Sequence, residues 1–221
     1  MTGKDENQMM GTPTGFIEVD KVLGGLRGGD LIVLAARPYV GKTAFALNIA
    51  TNAAKSGAAV VYFSLEMSTN HVLQRILCSE ARVSLRQLQQ GNLQEEDRNA
   101  IMNATDVLSG LELYIDDTPA LSIPEMRDKA LHHLRGKGKG LIILDYLQLM
   151  QPSPYSRGGN RVVWAAEISR GLKVLAKEMD MPVLALYQLH SLRWAIEGKR
   201  PTFFDLRIGG PSIRTPTLLC S

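Results

Sequence analysis

Cysteine is scarce: two residues in 221, Cys78 and Cys220, far apart and making no C-x-x-C pair. A disulfide framework or a zinc ribbon needs more thiols at closer spacing, so both are excluded and the two cysteines read as free thiols. Long apolar runs are missing as well. The clearest, over 141–144 and 182–186, fall far short of the roughly 18 residues that span a bilayer, which excludes a transmembrane segment and a membrane partner. The first eight residues, Met1-Thr2-Gly3-Lys4-Asp5-Glu6-Asn7-Gln8, are polar where a secretory leader carries its apolar segment, so the expected compartment is the cytoplasm. An excess of one charge is lacking too: 25 basic against 22 acidic residues leave a net charge of +3, too small by itself to announce a nucleic-acid partner. No internal repeat is found, which removes solenoids and propellers.

What is present is an ordinary globular composition, with 45% hydrophobic and 21% charged residues. The length suits one large domain, and the pattern within it alternates. Short unbroken apolar runs at 31–35, 59–64, 140–145 and 182–187, with a weaker one at 113–115, have the character of strands buried on both faces. Apolar residues at three and four spacing predict helices over 42–56, 71–81, 95–108, 122–135 and 161–179. Strands separated by helices imply right-handed crossovers, hence an α/β fold: a mostly parallel twisted sheet with helices on both faces. Residues 1–12 are polar and without period, a tail or linker remnant, and the stretch 151–160 is a loop rich in Pro, Gly and Ser.

Ala36-Arg37-Pro38-Tyr39-Val40-Gly41-Lys42-Thr43 follows a predicted strand and opens a predicted helix. It fits the phosphate-binding loop, with Ala36 where the first glycine is usual. A triphosphate needs inward-pointing backbone N–H groups, a helix N-terminus, a lysine for the β and γ oxygens and a hydroxyl for Mg²⁺. Residues 36 to 44, through Ala44 in the first helical turn, supply these parts, with Lys42 and Thr43 as the principal side chains; the competing reading is an ordinary strand-to-helix turn with an exposed lysine. In a doubly wound sheet ligands bind beyond the carboxyl ends of the strands, and Glu66, Asp145 and Gln188 follow three further strand ends. There Asp145 would hold Mg²⁺ beside Thr43, Glu66 would deprotonate the attacking water, and Gln188 would sense the γ-phosphate of ATP. Read singly, each is equally a surface carboxylate, a turn starter or a strand cap.

Beyond these, Thr14-Gly15-Phe16, Leu23-Gly24-Gly25-Leu26, Ser64-Leu65-Glu66-Met67, Asp145-Tyr146-Leu147-Gln148-Leu149-Met150, Ile115-Asp116-Asp117-Thr118-Pro119 and Glu167-Ile168-Ser169-Arg170 carry a resemblance. The chain closely resembles the motor domain of DnaB-type replicative DNA helicases, from about residue 12 to residue 207. The resemblance implies a RecA-like motor domain over 13–207, a hexameric ring by self-association, ATP bound between neighbours, and single-stranded DNA threaded through the centre. A primase and a helicase loader stand among the implied partners. Arg157, Arg161 and Arg207 are the candidates for contacts to the DNA backbone. Another RecA-like ATPase, such as a recombinase, and a nucleotide-binding remnant with little turnover are the competing readings. The family's N-terminal domain is expected to be absent, because the resemblance starts within a few residues of Met1.

Departures begin at the fifth predicted strand, where Tyr187-Gln188-Leu189-His190-Ser191 stands in place of the family's Ser-Gln-Leu-Ser-Arg. Residues 208–221 form an aberrant tail. As codons, Pro211 to Leu218 can be written so that the adjacent frame encodes Ser-Ile-Asp-Gln-Asp-Ala-Asp-Ile, close to what the family has there. The expectation is a frameshift near Ile208, with further central strands and the arginine finger lost and an open sheet edge left behind. The gene's nucleotide sequence tests this: an adjacent frame without a helicase-like continuation would remove the idea.

Overall fold

The computed structural model describes residues 11–151, 161–189 and 217–220. Six parallel strands form one sheet in the order β3-β2-β4-β5-β1-β6. They are β1 (Leu31–Ala36), β2 (Ala59–Ser64), β3 (Leu113–Asp116), β4 (Gly140–Asp145), β5 (Val183–Gln188) and β6 (Thr217–Cys220). Helices α1 (Ile17–Leu23), α2 (Lys42–Lys55), α3 (Thr69–Ala81), α4 (Leu85–Gln90), α5 (Glu95–Ser109), α6 (Ile123–Leu134) and α7 (Arg161–Met179) fill the connections, with a 3₁₀ turn at Leu147–Leu149 after β4.

Side chains of a strand point alternately to its two faces, and because helices cover both faces here, both sets are apolar. Ala59, Val61 and Phe63 of β2, with Ile142 and Leu144 of β4, pack against Met126, Ala130 and Leu134 of α6 and Ile168, Leu172 and Leu175 of α7. Val60 and Tyr62, with Leu141 and Ile143, pack on the other face against Ala46, Ile49, Ala50 and Ala53 of α2 and Val72 and Ile76 of α3. Each fully buried aliphatic side chain contributes about 1.5–3 kcal/mol, which is why these unbroken runs set the fold. The alanine face of α2 lets that helix lie close to the sheet.

Polar contacts set where the elements begin. Asp117 Oδ2 accepts the Thr69 N–H at 2.7 Å, supplying from the end of β3 the acceptor that the first turn of α3 lacks. Ser122 and Glu125 form a capping box at the start of α6. Ahead of the sheet, the Asp20 carboxylate accepts Thr14 N–H and O–H, both at 2.9 Å, and Gly15 N–H at 3.2 Å. Asn52 Nδ2 then donates to the Thr14 carbonyl at 3.1 Å, tying this segment to α2. Gly15 has φ of 79°, and a Cβ there would meet the Asn52 amide at 2.2 Å, so the position needs glycine. Thr14-Gly15-Phe16 is thereby a docking knot for the flank of α2.

The edge of the sheet beyond β1 is the short strand β6. Thr217–Cys220 pairs parallel with β1, from Val33↔Thr217 to Ala36↔Cys220. A ladder needs only backbone donors and acceptors in register, and the short run Thr217-Leu218-Leu219-Cys220 supplies them whatever the origin of the tail. Helices α1 and α4 also escape the sequence pattern, being seven and six residues long and without a repeated apolar stripe. No helix among the described residues is long and apolar enough to cross a membrane.

At the carboxyl end of β3, Lys129 Nζ donates to Asp116 Oδ2 at 2.6 Å and to Thr118 Oγ1 at 3.0 Å. Burial pushes the Asp116 carboxyl up, but hydrogen bonds from Lys129 and Thr118 outweigh it and hold the pKa below its ordinary value. A depressed carboxylate contributes stability that is present above its unfolded pKa and is lost as pH falls through the folded one. Lys129→Met is therefore expected to cost up to about 1 kcal/mol at neutral pH and to leave stability less steeply dependent on pH in the acid range. Urea unfolding at a series of pH values measures this, and parallel acid limbs for the two proteins would contradict it.

Candidate nucleotide site

The sheet's alternation gathers the site. On β4 the face shared by Leu141 and Ile143 continues to Asp145, and on β5 the face shared by Leu184 and Leu186 continues to Gln188. Both positions therefore lie on the side covered by α2. The loop between β1 and α2 opens at the same rim: Ala36 is paired with Gln188 across the β1/β5 ladder, and Leu189 N–H donates to the Ala36 carbonyl at 2.9 Å.

From Ala36 the chain turns through Arg37, Pro38, Tyr39 and Val40 to Gly41, which is the N-cap of α2. Gly41 has φ of 94°, a left-handed conformation open to glycine, and the first N–H groups of the helix it caps have no acceptor within the helix. Tyr39, with φ of 66°, is the second left-handed residue of the loop, and its side chain is fully exposed. Thr43 and Ala44 lie in the first turn of α2, Thr43 half-buried and Ala44 exposed.

Lys42 and Asp145 are brought together. The Lys42 ammonium lies 3.8 Å from Asp145 Oδ1, with the two side chains 9% and 2% exposed. It also stands over the Tyr146 ring, 4.4 Å from the centroid, a cation–π contact. Burial lowers the Lys42 pKa, against the opposing charges of Asp145 and Glu66. Tyr62 donates its hydroxyl to Asp145 Oδ2 at 2.8 Å, and burial followed by the Asp145 charge pushes that phenol well above its ordinary value. The other carboxylate oxygen, Oδ1, is buried and has no hydrogen-bond partner among the described residues. A buried, unpartnered oxygen beside an ammonium and a helix N-terminus fits a cation with its water shell. Among the described residues no cluster of three or more His, Cys, Asp or Glu is built, so a cation here would have few side-chain ligands. That is the sparse protein share that Mg²⁺ takes when phosphate oxygens and water complete its octahedron.

Glu66 sits on the turn after β2. Ser64 Oγ donates to the Met67 carbonyl at 2.6 Å and accepts the Met67 N–H at 3.3 Å, closing that turn, while Leu65 N–H donates to the Asp145 carbonyl at 2.8 Å. Glu66 itself is exposed, and its charge is felt at Lys42, Tyr62 and Tyr146. Of the arginines expected at DNA, Arg157 and Arg207 lie outside the described residues; Arg161 opens α7. Tyr62 and Tyr146 are site residues that sequence reasoning passed over. The only signal for Tyr62 was a hydroxyl inside an otherwise apolar strand.

Residues 11–212 match the family model described as the DnaB-like helicase C terminal domain. The chain is 44% identical over 206 residues to the replicative DNA helicase DnaB of Geobacillus stearothermophilus, covering 93% of this chain and 45% of that protein. The replicative DNA helicase DnaC of Bacillus subtilis gives the same identity and coverage. The chain thus spans less than half the length of these relatives. Among solved structures, an ATPase domain superposes with a TM-score of 0.86 at 29% identity, covering 93% of this chain and 73% of that one. A DnaB-like replicative helicase, solved with a view to its interactions with primase, also gives 0.86, at 30% identity and with 92% and 49% covered.

Among the described residues, Tyr62→Phe removes the one hydrogen bond donated to the buried Asp145 carboxylate. The expected cost is about 2 kcal/mol of unfolding free energy, the scale of a bond to a charged group. Chemical denaturation checks it, and a change below about 0.5 kcal/mol would mean that the carboxylate finds another donor.

Proposed function

Because this chain belongs to the DnaB-like helicase C-terminal domain family and has its RecA-like fold, we propose that it is an ATP-hydrolysing motor domain. Nucleotide use follows from the family; ATP with Mg²⁺ is the specific form proposed here. Lys42 neutralises the β and γ oxygens, and the backbone of residues 36–44 cradles the phosphates. Thr43 and Asp145 would hold Mg²⁺, which when bound supplies the positive charge that stabilises the leaving phosphate oxygens. Glu66 accepts a proton from the attacking water, and Gln188 reads the presence of the γ-phosphate. The observation that carries this reading is the buried Asp145 Oδ1, ion-paired with Lys42 Nζ at 3.8 Å but without a hydrogen bond among the described residues, at the rim where the β1–α2 loop opens.

Work on single-stranded DNA within a hexameric ring is the coupled activity proposed, with Arg157, Arg161 and Arg207 at the DNA backbone, a primase or loader as partner, and the cytoplasm as compartment. Its support is the kinship with replicative helicases. A second reading, nucleotide binding with little turnover, is favoured by one observation: residues 213–221 lie outside the match to the family model.

The site is tested with a fluorescent ATP analogue, Mg²⁺ and a phosphate-release assay run with and without single-stranded DNA. Lys42→Ala is expected to lower nucleotide affinity by a hundredfold or more, about 3 kcal/mol, and unchanged affinity would refute the site. Glu66→Gln should keep the nucleotide and lose hydrolysis. DNA-stimulated turnover by the unmodified chain supports the motor, whereas binding with no turnover selects the second reading.

A further inference from the structure

Strand β4 stays paired with β2 to Asp145 but parts from β5 one residue earlier. Its last ladder pairing with β5 is Leu144↔Ala185, whereas β5 continues to Gln188. Beyond Ala185 that flank of β5 pairs with no strand among the described residues, and at Gln188 a side chain takes the strand's place. Gln148, in the 3₁₀ turn Leu147–Leu149, donates from Nε2 to the Gln188 carbonyl at 2.6 Å and accepts the Gln188 N–H on Oε1 at 3.2 Å. A primary carboxamide carries the same donor and acceptor as a peptide group, so Gln148 stands in for the residue β4 no longer provides. The amide's orientation follows from its partners: turned over, it would set N–H against N–H and oxygen against oxygen. On the opposite flank, Leu189 N–H is held by the Ala36 carbonyl. The end of β5 is therefore pinned from both sides, by the first residue of the phosphate-binding loop and by a side chain three positions past Asp145.

We propose that Gln148 is a positioning residue for the γ-phosphate response: it fixes the backbone of Gln188, and through it the direction in which the Gln188 carboxamide is presented. This rests on the role given to Gln188 above. Two bonds to one backbone residue remove the freedom that a strand end otherwise has, so the orientation of Gln188 is set before the nucleotide arrives. Because Gln148 and Asp145 lie on one short stretch, the proposed cation ligand and the proposed sensor move as a unit.

The test uses the full chain and two readouts. Hydrogen exchange at the Gln188 amide reports the contact without any nucleotide. The ratio of affinities for a non-hydrolysable ATP analogue and for ADP, both with Mg²⁺, reports γ-phosphate discrimination. Gln148→Met, close in length and without the amide, is expected to speed exchange at Gln188 at least about tenfold and to lower the ratio by about tenfold, the scale of one hydrogen bond to a charged acceptor, with ADP affinity within about twofold. Gln148→Glu keeps the acceptor and loses the donor, and should give smaller changes in both; it decides the matter if the methionine variant does not fold. Adding Gln148→Met to Gln188→Met should lower the ratio no further than Gln188→Met alone. Unchanged exchange overturns the contact. Faster exchange with an unchanged ratio overturns the positioning role, as does a further loss in the double variant. An unmodified chain that binds neither nucleotide overturns the proposed function, and the positioning role falls with it, while the exchange readout still decides whether the contact exists.

Discussion

Two opposite charges buried at the rim of a hydrophobic sheet govern this molecule. Taking an ammonium and a carboxylate out of water costs several kcal/mol each, and at 3.8 Å the attraction between Lys42 and Asp145 returns only part of that. Such a pair persists because the surroundings hold it in place: the Tyr62 hydroxyl on one carboxylate oxygen, the Tyr146 ring under the ammonium, and the two strands and one helix that end there. The remaining oxygen has no hydrogen bond among the described residues, so the pair is incomplete as a structural element. Incompleteness of this kind is the ground for proposing that a ligand completes it.

The rest of the architecture serves that rim. Full burial of β1, β2 and β4 on both faces leaves no slack in where their carboxyl ends fall, and period-two alternation puts Asp145 and Gln188 on the α2 side. The knot of Thr14, Asp20 and Asn52 holds the flank of α2, and the ring of Phe16 lies against that of Phe45, 4.4 Å between centroids, one turn into the same helix. From the other face, Lys173 of α7 donates to the Gly29 carbonyl at 2.7 Å and to Asp30 Oδ1 at 3.0 Å, fixing the entry to β1.

How much of this could be read from the sequence depends on how local its cause is. Strands β2 and β4 and helix α7 end where the apolar pattern ends, because an unbroken buried run and a long amphipathic stripe carry their own boundaries. The meeting of Lys42 with Asp145 was legible because both residues stand next to strand ends that a doubly wound sheet gathers at one rim. Helices α1 and α4 were not, since seven- and six-residue helices owe their existence to tertiary contacts. Strand β6 was missed for a different reason, that a four-residue strand takes its identity from the neighbour it pairs with. Tyr62 acquires its meaning from a partner 83 positions away and Gln148 from one 40 positions away. Nothing in a local window announces either.

The strand order carries a consequence for the birth of the molecule. Strand β1, which feeds the β1–α2 loop, is made early, yet its neighbours in the sheet are β5 and β6. On a ribosome, Leu31 must wait for Val183 before its backbone finds a ladder, and Val33 waits for Thr217. Until then an entirely apolar strand has no sheet to enter, which is the circumstance in which nascent chains engage chaperones or one another. The rim that joins Lys42 to Asp145 is therefore among the last parts of the domain to exist, and a chain released before β5 has emerged would carry every residue of the loop and no site.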